Sequence, residues 1–417
     1  MKLKQIRVDG YKNLINCVVD LGDFNVLVGA NNSGKSNLLE ALHVLGLISF
    51  GGPEDKKQIL RGYTLRPRVS FYSSHLVEHK DKPITIGITF EKIVNDILWI
   101  ADYEVTIRCS LSEEEKGTIV SEILTGKTYG RSGRATKYIS RKEQLFRILT
   151  GSGRKKQHKI TKDNSCLSAL PSLYPDKEDL PQELVDFYYA IGLLARMPIF
   201  ALSPSELRRK MDKETTIGNF WVSGFDIGLV LDSIKEEGLY YDLFRESICN
   251  IMALKSVHLH VDVKKTSSKK TEGNGTEKHI RYVIIERHGD RPSVIEEYSD
   301  GTLVIVAILA ALCFEKRSGP VLCLEELETC LHPAALEKLL RFLQDHSNQW
   351  PVLITTHSPY ILNGVNPEDV NVAVVDKTGA AHFEKVKNSP QLRDYLNKGL
   401  LSFGDLLAED FAGFRQG

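Results

Sequence analysis

Residues 29–36 read Gly29-Ala30-Asn31-Asn32-Ser33-Gly34-Lys35-Ser36 and lie between two apolar segments. They match the pattern G-x-x-x-x-G-K-[ST] at every fixed position. Phe24–Val28 predicts a short strand before the loop, and the apolar spacing after Ser36 predicts a helix. The glycines of such a loop let backbone amides curl around phosphate oxygens, and the helix N-terminus faces the same negative charge. We therefore interpret the stretch as a phosphate-binding loop rather than an incidental glycine-rich turn.

The side chains of this loop have distinct expected roles toward ATP. Lys35 is expected to reach the β- and γ-phosphates, and the Ser36 hydroxyl is expected to hold Mg²⁺. The residues predicted to contact the nucleotide are Gly29, Asn31, Asn32, Ser33, Gly34, Lys35, Ser36 and Asn37.

Two apolar runs far downstream end in polar residues that suit the same chemistry. Pro320–Leu324 predicts a buried parallel strand and precedes Glu325 and Glu326, and Val352–Thr356 predicts another before His357. Ligands of open α/β sheets bind at the carboxyl ends of strands. Glu325 is then expected to orient Mg²⁺, Glu326 to accept a proton from the attacking water, and His357 to sense the γ-phosphate. Alone, each strand end would also fit an ordinary solvated surface.

A third segment, Ser299-Asp300-Gly301, precedes the almost wholly apolar stretch Leu303–Phe314, which predicts a helix. Ser299 is a plausible N-cap, and helix N-terminal amides attract anions. The segment has two interpretations. It is either the ordinary cap of a core helix, or a lid in which Ser299 and Gly301 of one copy of the chain cover the nucleotide bound to a second copy.

Together these segments resemble the RecF-like and structural-maintenance-of-chromosomes (SMC) branch of the ABC ATPases. More narrowly, they are similar to bacterial AAA ATPases related to overcoming-lysogenization-defect (OLD) proteins. The similarity covers residues 1–50 and 290–365, including Tyr11-Lys12-Asn13-Leu14 and the run from Leu324 to Pro333. The resemblance implies an α/β fold, a bipartite ABC-type P-loop ATPase head with an inserted mixed β/helical subdomain.

The resemblance also implies roles for single residues. Residues 29–36 correspond to Walker A, and residues 299–301 to the signature motif that a partner head presents. Lys35, Glu326 and His357 are then catalytic, and Ser36 with Glu325 holds the metal. The expected cofactors are ATP and Mg²⁺, and the expected assembly is a homodimer or a higher even oligomer. Leu327 and Val304 depart from the family pattern, which commonly has proline and arginine there.

Composition narrows the class of protein. The chain has 54 Lys and Arg against 54 Asp and Glu, so its net charge is zero. We expect no membrane span, because no apolar stretch approaches the required length without charges. We also expect no signal peptide and a cytoplasmic location. Cys313 and Cys323 lie in apolar runs and are predicted to be reduced core residues.

The middle of the chain changes character after the first helix. Ile84–Phe90, Tyr103–Cys109 and Ile119–Leu124 alternate like half-exposed strands and predict an antiparallel meander. From Lys127 to Lys159 the chain has eleven Lys or Arg and one acidic residue, Glu143. This run fits a nucleic acid, an acidic partner protein or a solvated hairpin. The candidate nucleic-acid residues are Arg131, Arg134, Arg141, Lys142, Arg154, Lys155 and Lys156.

Helical spacing predicts helices over Leu184–Met197, Asp226–Glu237 and Tyr241–Leu254, followed by a loop from Lys264 to Lys278. Ile280–Glu286 and Val370–Val375 predict further strands. The expected domains are residues 1–110 for the first ATPase lobe, 111–280 for the insert and 281–417 for the second lobe.

Three functions remain open at this point. The first is a sensor subunit of an anti-phage defence complex, driven by ATP and paired with a separately encoded effector such as a nuclease. We expect no nuclease of its own, because no Asp-x-Asp pair follows Asp376. The second is a RecF-like, DNA-binding repair ATPase. The third is an ATP-gated scaffold with little turnover, which the departures at Leu327 and Val304 leave open.

Overall fold

The protein is described by a computed structural model, which covers residues 1–62, 82–94, 96–110, 117–128, 135–195, 199–200, 234–235, 239–252, 254–264, 278–286, 293–294, 297–314, 321–329 and 331–386. The chain forms two compact units. The first contains Met1–Phe200, Ser318–Glu326 and His346–Gly417, and the second contains Ala201–Arg317 and Leu327–Asp345. The division at residues 110 and 280 stays a prediction.

The helices and strands run in the following chain order: β1 (Lys2–Asp9), β2 (Cys17–Asp20), β3 (Phe24–Val28), α1 (Lys35–Phe50), α2 (Pro53–Leu60), β4 (Ile84–Val94), β5 (Ile97–Arg108), β6 (Thr118–Thr128), β7 (Thr136–Lys142), β8 (Leu145–Leu149), β9 (Lys155–Lys159), α3 (Cys166–Leu173), α4 (Gln182–Ala195), β10 (Ile199–Phe200), α5 (Leu239–Met252), β11 (Ser256–Lys264), β12 (Lys278–Glu286), β13 (Ser293–Val294), α6 (Asp300–Phe314), β14 (Leu322–Glu325), α7 (Pro333–His346), β15 (Val352–Thr356), α8 (Pro359–Leu362), β16 (Val370–Val375) and β17 (Ala381–Lys385).

A six-stranded sheet in the first unit has the order β10-β14-β15-β3-β16-β17. All neighbours pair in parallel except β17, which is antiparallel to β16. The central strand β3 is buried at all five residues, as expected for a parallel strand covered on both faces. The sequence predicted the bounds of β3, β15 and β16 correctly, and β14 begins two residues later than expected.

The register of this sheet brings its strand ends together. Glu325 at the end of β14 is level with Thr355 of β15, and Thr355 is level with Leu27 of β3. Residues that follow these strands therefore emerge at the edge where the phosphate loop leaves β3. This register is what gathers segments that are far apart in the sequence.

An eight-stranded antiparallel sheet in the first unit has the order β2-β1-β4-β5-β6-β7-β8-β9. The predicted antiparallel meander is confirmed for β4 to β6, and the sheet continues through β7, β8 and β9. Alternate residues of β5 are buried, and this face meets α4, where Phe187 packs edge-on against Phe90 and Tyr103. The opposite face of this sheet, which we call the outer face, carries the polar alternates.

The second unit contains α5, α6, most of α7 and a three-stranded antiparallel sheet, β11-β12-β13. Helix α6 is buried almost throughout, with Leu303 to Cys313 at 3% exposure or less. The predicted helices around residues 184–197, 241–254 and 303–314 correspond to α4, α5 and α6. The predicted helix Asp226–Glu237, apart from residues 234–235, and residues 265–277 of the predicted loop lie outside the described residues.

In the described part of the chain, no helix has both the length and the apolar character needed to cross a membrane. Cys313 and Cys323 are buried and make no disulfide, as predicted. Burial raises the pKa of the Cys313 thiol to about 12, so this thiol stays protonated. Burial and, after it, the charge of Glu325 raise the pKa of Cys323 well above its ordinary value.

Candidate nucleotide-binding site

The phosphate loop joins β3 to α1, and its path requires glycine at two positions. Gly34 precedes α1 with a φ of 96°, in the left-handed region. A Cβ atom on Gly34 would lie 2.7 Å from the Ala381 Cβ, and one on Gly29 would lie 2.6 Å from the Ala373 carbonyl oxygen. The hairpin of β16 and β17 thus leaves no room for side chains beneath the loop.

Lys35, the first residue of α1, points back into this loop. Its side chain is buried, at 4% residue exposure. The Lys35 Nζ donates hydrogen bonds to the carbonyl oxygens of Gly29 at 2.8 Å and Ala30 at 3.0 Å, and to the Ser33 Oγ at 3.3 Å. The cation is therefore held at the centre of the curl, where the phosphates of a nucleotide are expected.

Glu326 and His357 reach the same place from the ends of β14 and β15. The His357 Nδ1 lies 3.4 Å from the Lys35 Nζ, and the His357 Nε2 lies 3.4 Å from the Glu326 Oε1. Glu326 has a φ of 48°, which is uncommon for a residue other than glycine and recurs at active sites. Its amide donates to the Thr355 carbonyl at 2.9 Å, and this bond fixes the turn after β14.

These three side chains share one cavity of about 670 Å³. The residues that line it are Lys12, Asn13, Asn31, Asn32, Ser33, Gly34, Lys35, Ser36, Asn37, Glu326 and His357. All of them belong to the first compact unit. The lining residues are polar apart from Gly34 and combine two lysines, amide and hydroxyl side chains, a carboxylate and an imidazole. Such a set suits a polyphosphate and a water that attacks it.

The oxygen groups near the loop suit Mg²⁺. Ser36 lines the cavity with an exposed hydroxyl, and Glu325 is half-buried at the end of β14. Mg²⁺ prefers oxygen ligands and is usually bound by one or two protein groups together with substrate phosphates and water. The described residues contain no cluster of three or more His, Cys, Asp or Glu that would hold a metal without a substrate. The donor set therefore fits a metal that arrives with the nucleotide.

Sequence reasoning missed two cavity residues, Lys12 and Asn13. The Asn13 side chain donates to the Asn32 carbonyl at 3.2 Å and accepts from the Asn37 side chain at 2.7 Å, so it ties the middle of the loop to the first turn of α1. Lys12 forms an ion pair with Glu40 of α1. The sequence signal was that both residues lie in Tyr11–Leu14, a segment shared with the family that the chain resembles. That signal did not indicate contact with the loop.

The signature residues Ser299 and Gly301 lie in the second compact unit. Ser299 precedes α6, and its hydroxyl accepts from the Thr302 amide at 3.4 Å and lies 3.0 Å from the Thr302 hydroxyl. The geometry is that of an N-cap, as the sequence suggested. Its role toward a nucleotide stays a prediction.

The candidate nucleic-acid residues separate into groups. Arg131 and Arg134 lie outside the described residues. The prediction for Arg141 was wrong, because its side chain is buried at 3% exposure and bonds the backbone carbonyls of Glu143, Thr161, Lys162 and Asn164. Lys142, Arg154, Lys155 and Lys156 are exposed. Alternation was a usable signal, because Arg141 shares a strand face with the buried Ile139.

Two family models match this chain. Residues 131–363 match a family model described as "AAA domain, putative AbiEii toxin, Type IV TA system", and residues 1–187 match one described as "AAA ATPase domain". The first match covers more than half of the chain.

Two curated relatives are similar in sequence. The DNA replication and repair protein RecF of Staphylococcus carnosus is 31% identical over 90 residues, which are 21% of this chain and 24% of that protein. The Old nuclease of Escherichia phage P2 is 21% identical over 440 residues, which span 94% of this chain and 64% of the nuclease. The chain thus spans about a quarter of RecF and less than two thirds of the Old nuclease.

A solved structure supports the fold. An SMC head, crystallised with the C-winged helix domain of ScpA, aligns with a TM-score of 0.50 at 12% identity, over 92% of this chain and 98% of that chain. The fold is thus that of an ABC-type P-loop ATPase. Because the match over residues 131–363 covers more than half of the chain, the chain belongs to the family described as "AAA domain, putative AbiEii toxin, Type IV TA system"; in sequence it is similar to RecF and the Old nuclease, and its fold is that of an SMC head.

Proposed function

We propose that this protein hydrolyses ATP at the cavity beside Lys35. The observation that carries the proposal is the convergence of Lys35, His357 and Glu326, each 3.4 Å from the next, on one polar cavity. The family of ATPases to which the chain belongs supports the same reaction in general terms.

Each of the three side chains has a task in this reaction. Lys35 neutralises the β- and γ-phosphates while the loop amides hold their oxygens. Glu326 accepts a proton from the attacking water, and His357 holds Glu326 in position and contacts the γ-phosphate. Mg²⁺ bound beside Ser36 and Glu325 would neutralise charge that develops on the phosphates.

The proposal includes a head-to-tail dimer that forms on ATP. Glu326 and His357 retain 43% and 33% side-chain exposure, so a second copy has access to them. Ser299 and Gly301 stand at the positive N-terminal end of the fifteen-residue helix α6. The signature segment of one copy would then cover the ATP of the other, with its amides toward the γ-phosphate.

Glu326→Gln tests both parts. Without the carboxylate, turnover should fall by about 10² to 10⁴, the usual contribution of a general base. Because ATP is retained, the variant should remain dimeric in ATP and Mg²⁺ while the wild type returns to its apo state. Phosphate release and light scattering on a sizing column measure the two effects.

The matched control is Glu337→Gln on the exposed part of α7, where the carboxylate pairs with Arg341. This variant should turn over ATP like the wild type. If the Glu326→Gln protein hydrolysed ATP at the wild-type rate, Glu326 would not be the general base. Loss of turnover without any dimer in ATP would refute the head-to-tail arrangement alone.

We further propose that the ATPase is the sensor subunit of a bacterial anti-phage defence complex with a separately encoded effector. The description of the matched family as an AbiEii-type toxin and the likeness to a phage nuclease support this role. Co-purification from the native host, with neighbouring genes intact, should yield a second protein in fixed stoichiometry. Plaque counts with wild type and Glu326→Gln then test whether turnover matters for protection. Equal plaque counts with and without the gene would refute the defence role.

The second candidate is a RecF-like ATPase that binds nucleic acid. Four exposed cations, Lys142, Arg154, Lys155 and Lys156, favour it, since they all belong to the segment from β7 to β9 in a chain of zero net charge. Nucleic acid that co-purifies alone and is released by salt would favour this candidate over the effector complex.

A further inference from the structure

The outer face of the eight-stranded sheet is basic at one end. Strand pairing determines which cations share this face, because residues level with one another on neighbouring strands point to the same side. Lys142 is level with Leu145 and, through it, with Lys159, while Arg147 is level with Gln157. Six exposed cations lie on the outer face of β6 to β9: Lys127, Lys137, Lys142, Arg147, Lys155 and Lys159.

The remaining cations of the same sequence run point elsewhere. Arg141 is level with Phe146 on the buried face, where backbone carbonyls surround its guanidinium. Lys156 also points to that side, with its Nζ 5.7 Å from the Tyr174 ring centroid and 3.8 Å from Asp179. Strand alternation therefore determines which cations of the run lie on the outer face, because neighbouring residues of a strand point to opposite sides of the sheet.

Positive charge is concentrated at one end of this face. On β5 the outer positions carry both signs: the carboxylates Asp102 and Glu104 and the guanidinium of Arg108, with Asp102 paired to Arg7 of β1 at 3.3 Å. From β6 to β9 the described outer positions are cationic, neutral polar or aliphatic, and Glu143 in the β7–β8 turn is the acidic neighbour. A polyanion is thus attracted to the β6–β9 end, where the described strand positions present cations without outer carboxylates, more strongly than to β5, where the charges are mixed.

The spacing of the cations fits a run of phosphates. Strands lie about 4.8 Å apart, so Lys142 and Lys159, two strands apart, are separated by about 10 Å. Lys155 and Lys159 are four residues apart on β9, or about 13 Å. A duplex presents a phosphate on each strand about every 3.4 Å along its axis, so about four phosphates of one strand face this area.

The aromatic residues argue for a duplex over a single strand. Proteins that bind single strands stack bases on exposed aromatic rings. Tyr138 and Phe146, the aromatic residues of β7 and β8, are 6% and 1% exposed and belong to the buried side. Tyr138 packs against Trp99 there. The described outer positions of β6 to β9 offer cations and hydrogen-bonding groups, which suit a phosphate backbone.

We propose that the outer face of β6 to β9 binds the phosphate backbone of duplex nucleic acid without reading its sequence. The inference deepens the second candidate function and corrects its residues. Lys142 and Lys155 remain, and Lys127, Lys137, Arg147 and Lys159 are added. Arg141 and Lys156 are removed, and Arg154 is left out because it lies in the turn before β9. The contact needs no nucleotide, so its failure leaves the ATP-hydrolysis proposal intact.

The test is fluorescence anisotropy with labelled duplexes in the absence of ATP, over a series of salt concentrations. The outer-face variant replaces Lys142, Arg147, Lys155 and Lys159 by glutamine. It should bind a random-sequence DNA duplex on the order of 100-fold more weakly than wild type at low salt. The slope of log K against log salt should become shallower by about 3.6, or 0.9 for each lost phosphate contact.

A charge-matched control replaces four exposed lysines elsewhere in the first unit, Lys57, Lys162, Lys377 and Lys385. This control should bind the duplex within about threefold of wild type, because its charges are not aligned on one face. The neighbouring single variants give the sharpest contrast: Lys155→Gln should weaken binding and Lys156→Gln should change it less than twofold. Equal thermal midpoints confirm that all variants fold.

Several outcomes would overturn the proposal. Equal losses in the outer-face and control variants would mean a net-charge effect. If a single strand bound more tightly than the duplex, the duplex would not be the ligand of this face. A more than tenfold preference for one DNA sequence would contradict backbone contact. An RNA duplex should bind through the same lysines. If the outer-face variant bound the duplex like wild type but no longer bound an acidic partner protein, the ligand of this face would be a protein and not a nucleic acid.

Discussion

The two sheets of the first unit place functional groups in different ways. The parallel sheet gathers them at its edge, where Glu326, His357 and the loop before Lys35 follow the ends of three neighbouring strands. The antiparallel sheet distributes cations over one face, to which only alternate residues of each strand point. The difference is visible in one pair of neighbours, since Arg141 is buried and Lys142 is exposed. A local motif can therefore identify the first kind of site, whereas the second depends on pairing between strands.

The largest effect is expected where the parallel-sheet site depends on backbone shape. Gly34→Ala places a Cβ atom 2.7 Å from the Ala381 Cβ at a φ of 96°, so the loop must open. ATP affinity should fall by more than about 100-fold, because the loop amides lose their common focus. Isothermal titration with ATP and Mg²⁺ measures it.

Gly153→Ala is the matched control, with a φ of 76° and no atom within 4 Å of the added Cβ. It should cost about 1 kcal/mol of stability from left-handed strain and leave ATP affinity unchanged. Wild-type ATP binding by Gly34→Ala would show that the close approach of the loop to Ala381 is dispensable.

The antiparallel sheet should respond most strongly on its buried side, at Glu122. This fully buried carboxylate accepts hydrogen bonds from the Tyr103 hydroxyl at 2.9 Å, the Ser165 hydroxyl at 2.9 Å and the Cys166 amide at 2.7 Å. Burial and, after it, the charge of Glu122 raise the pKa of Tyr103 well above its ordinary value, so the phenol remains a donor. Glu122→Ala removes the acceptor that these donors share, although Tyr103 keeps the Ser49 hydroxyl at 2.9 Å, and should lower the free energy of unfolding by about 3 to 5 kcal/mol.

Urea denaturation followed by circular dichroism measures this loss. Glu104→Ala, on the outer side of the neighbouring strand β5, should change the unfolding free energy by less than about 0.5 kcal/mol. If both substitutions cost the same, the buried network around Glu122 does not stabilise the sheet as its geometry indicates.

The smallest stability effect separates the two neighbours of β7. Arg141→Ala removes donors to the carbonyls of Thr161 at 3.0 Å and Lys162 at 3.1 Å and should cost about 2 kcal/mol. Lys142→Ala should cost less than about 0.5 kcal/mol, because its side chain is exposed. The order should reverse for duplex affinity, which Lys142→Ala lowers. A common order in unfolding and in binding would contradict the separation of the two faces.

The parallel sheet was largely predictable from sequence. Apolar runs ended by polar residues gave β3, β15 and β16 their bounds, because strands buried on both faces read as continuous apolar stretches. The left-handed backbone of Glu326 and the contact of Asn13 with the loop were not predictable. They depend on the turn after β14 and on the fold of the N-terminal segment, and neither leaves a local pattern.

The basic region was predictable in content and not in geometry. The count of cations from Lys127 to Lys159 indicated a charged surface, but it did not show that Arg141 faces inward. That orientation follows from the pairing of Glu122 with Arg141 and of Arg141 with Phe146. A run of charged residues in the sequence shows how many cations a region has, and the register of the strands determines which of them share a surface.

The position of β9 at the end of the eight-stranded sheet has a further consequence. An edge strand exposes unpaired amides and carbonyls that can recruit a strand from another molecule and start aggregation. Three of the five residues of β9 are lysines, and they point to both sides, so an incoming strand would meet positive charge either way. The opposite edge is β2, which is only four residues long. The lysines of β9 therefore also keep this large sheet from growing between molecules, and the protein should become less soluble as they are neutralised.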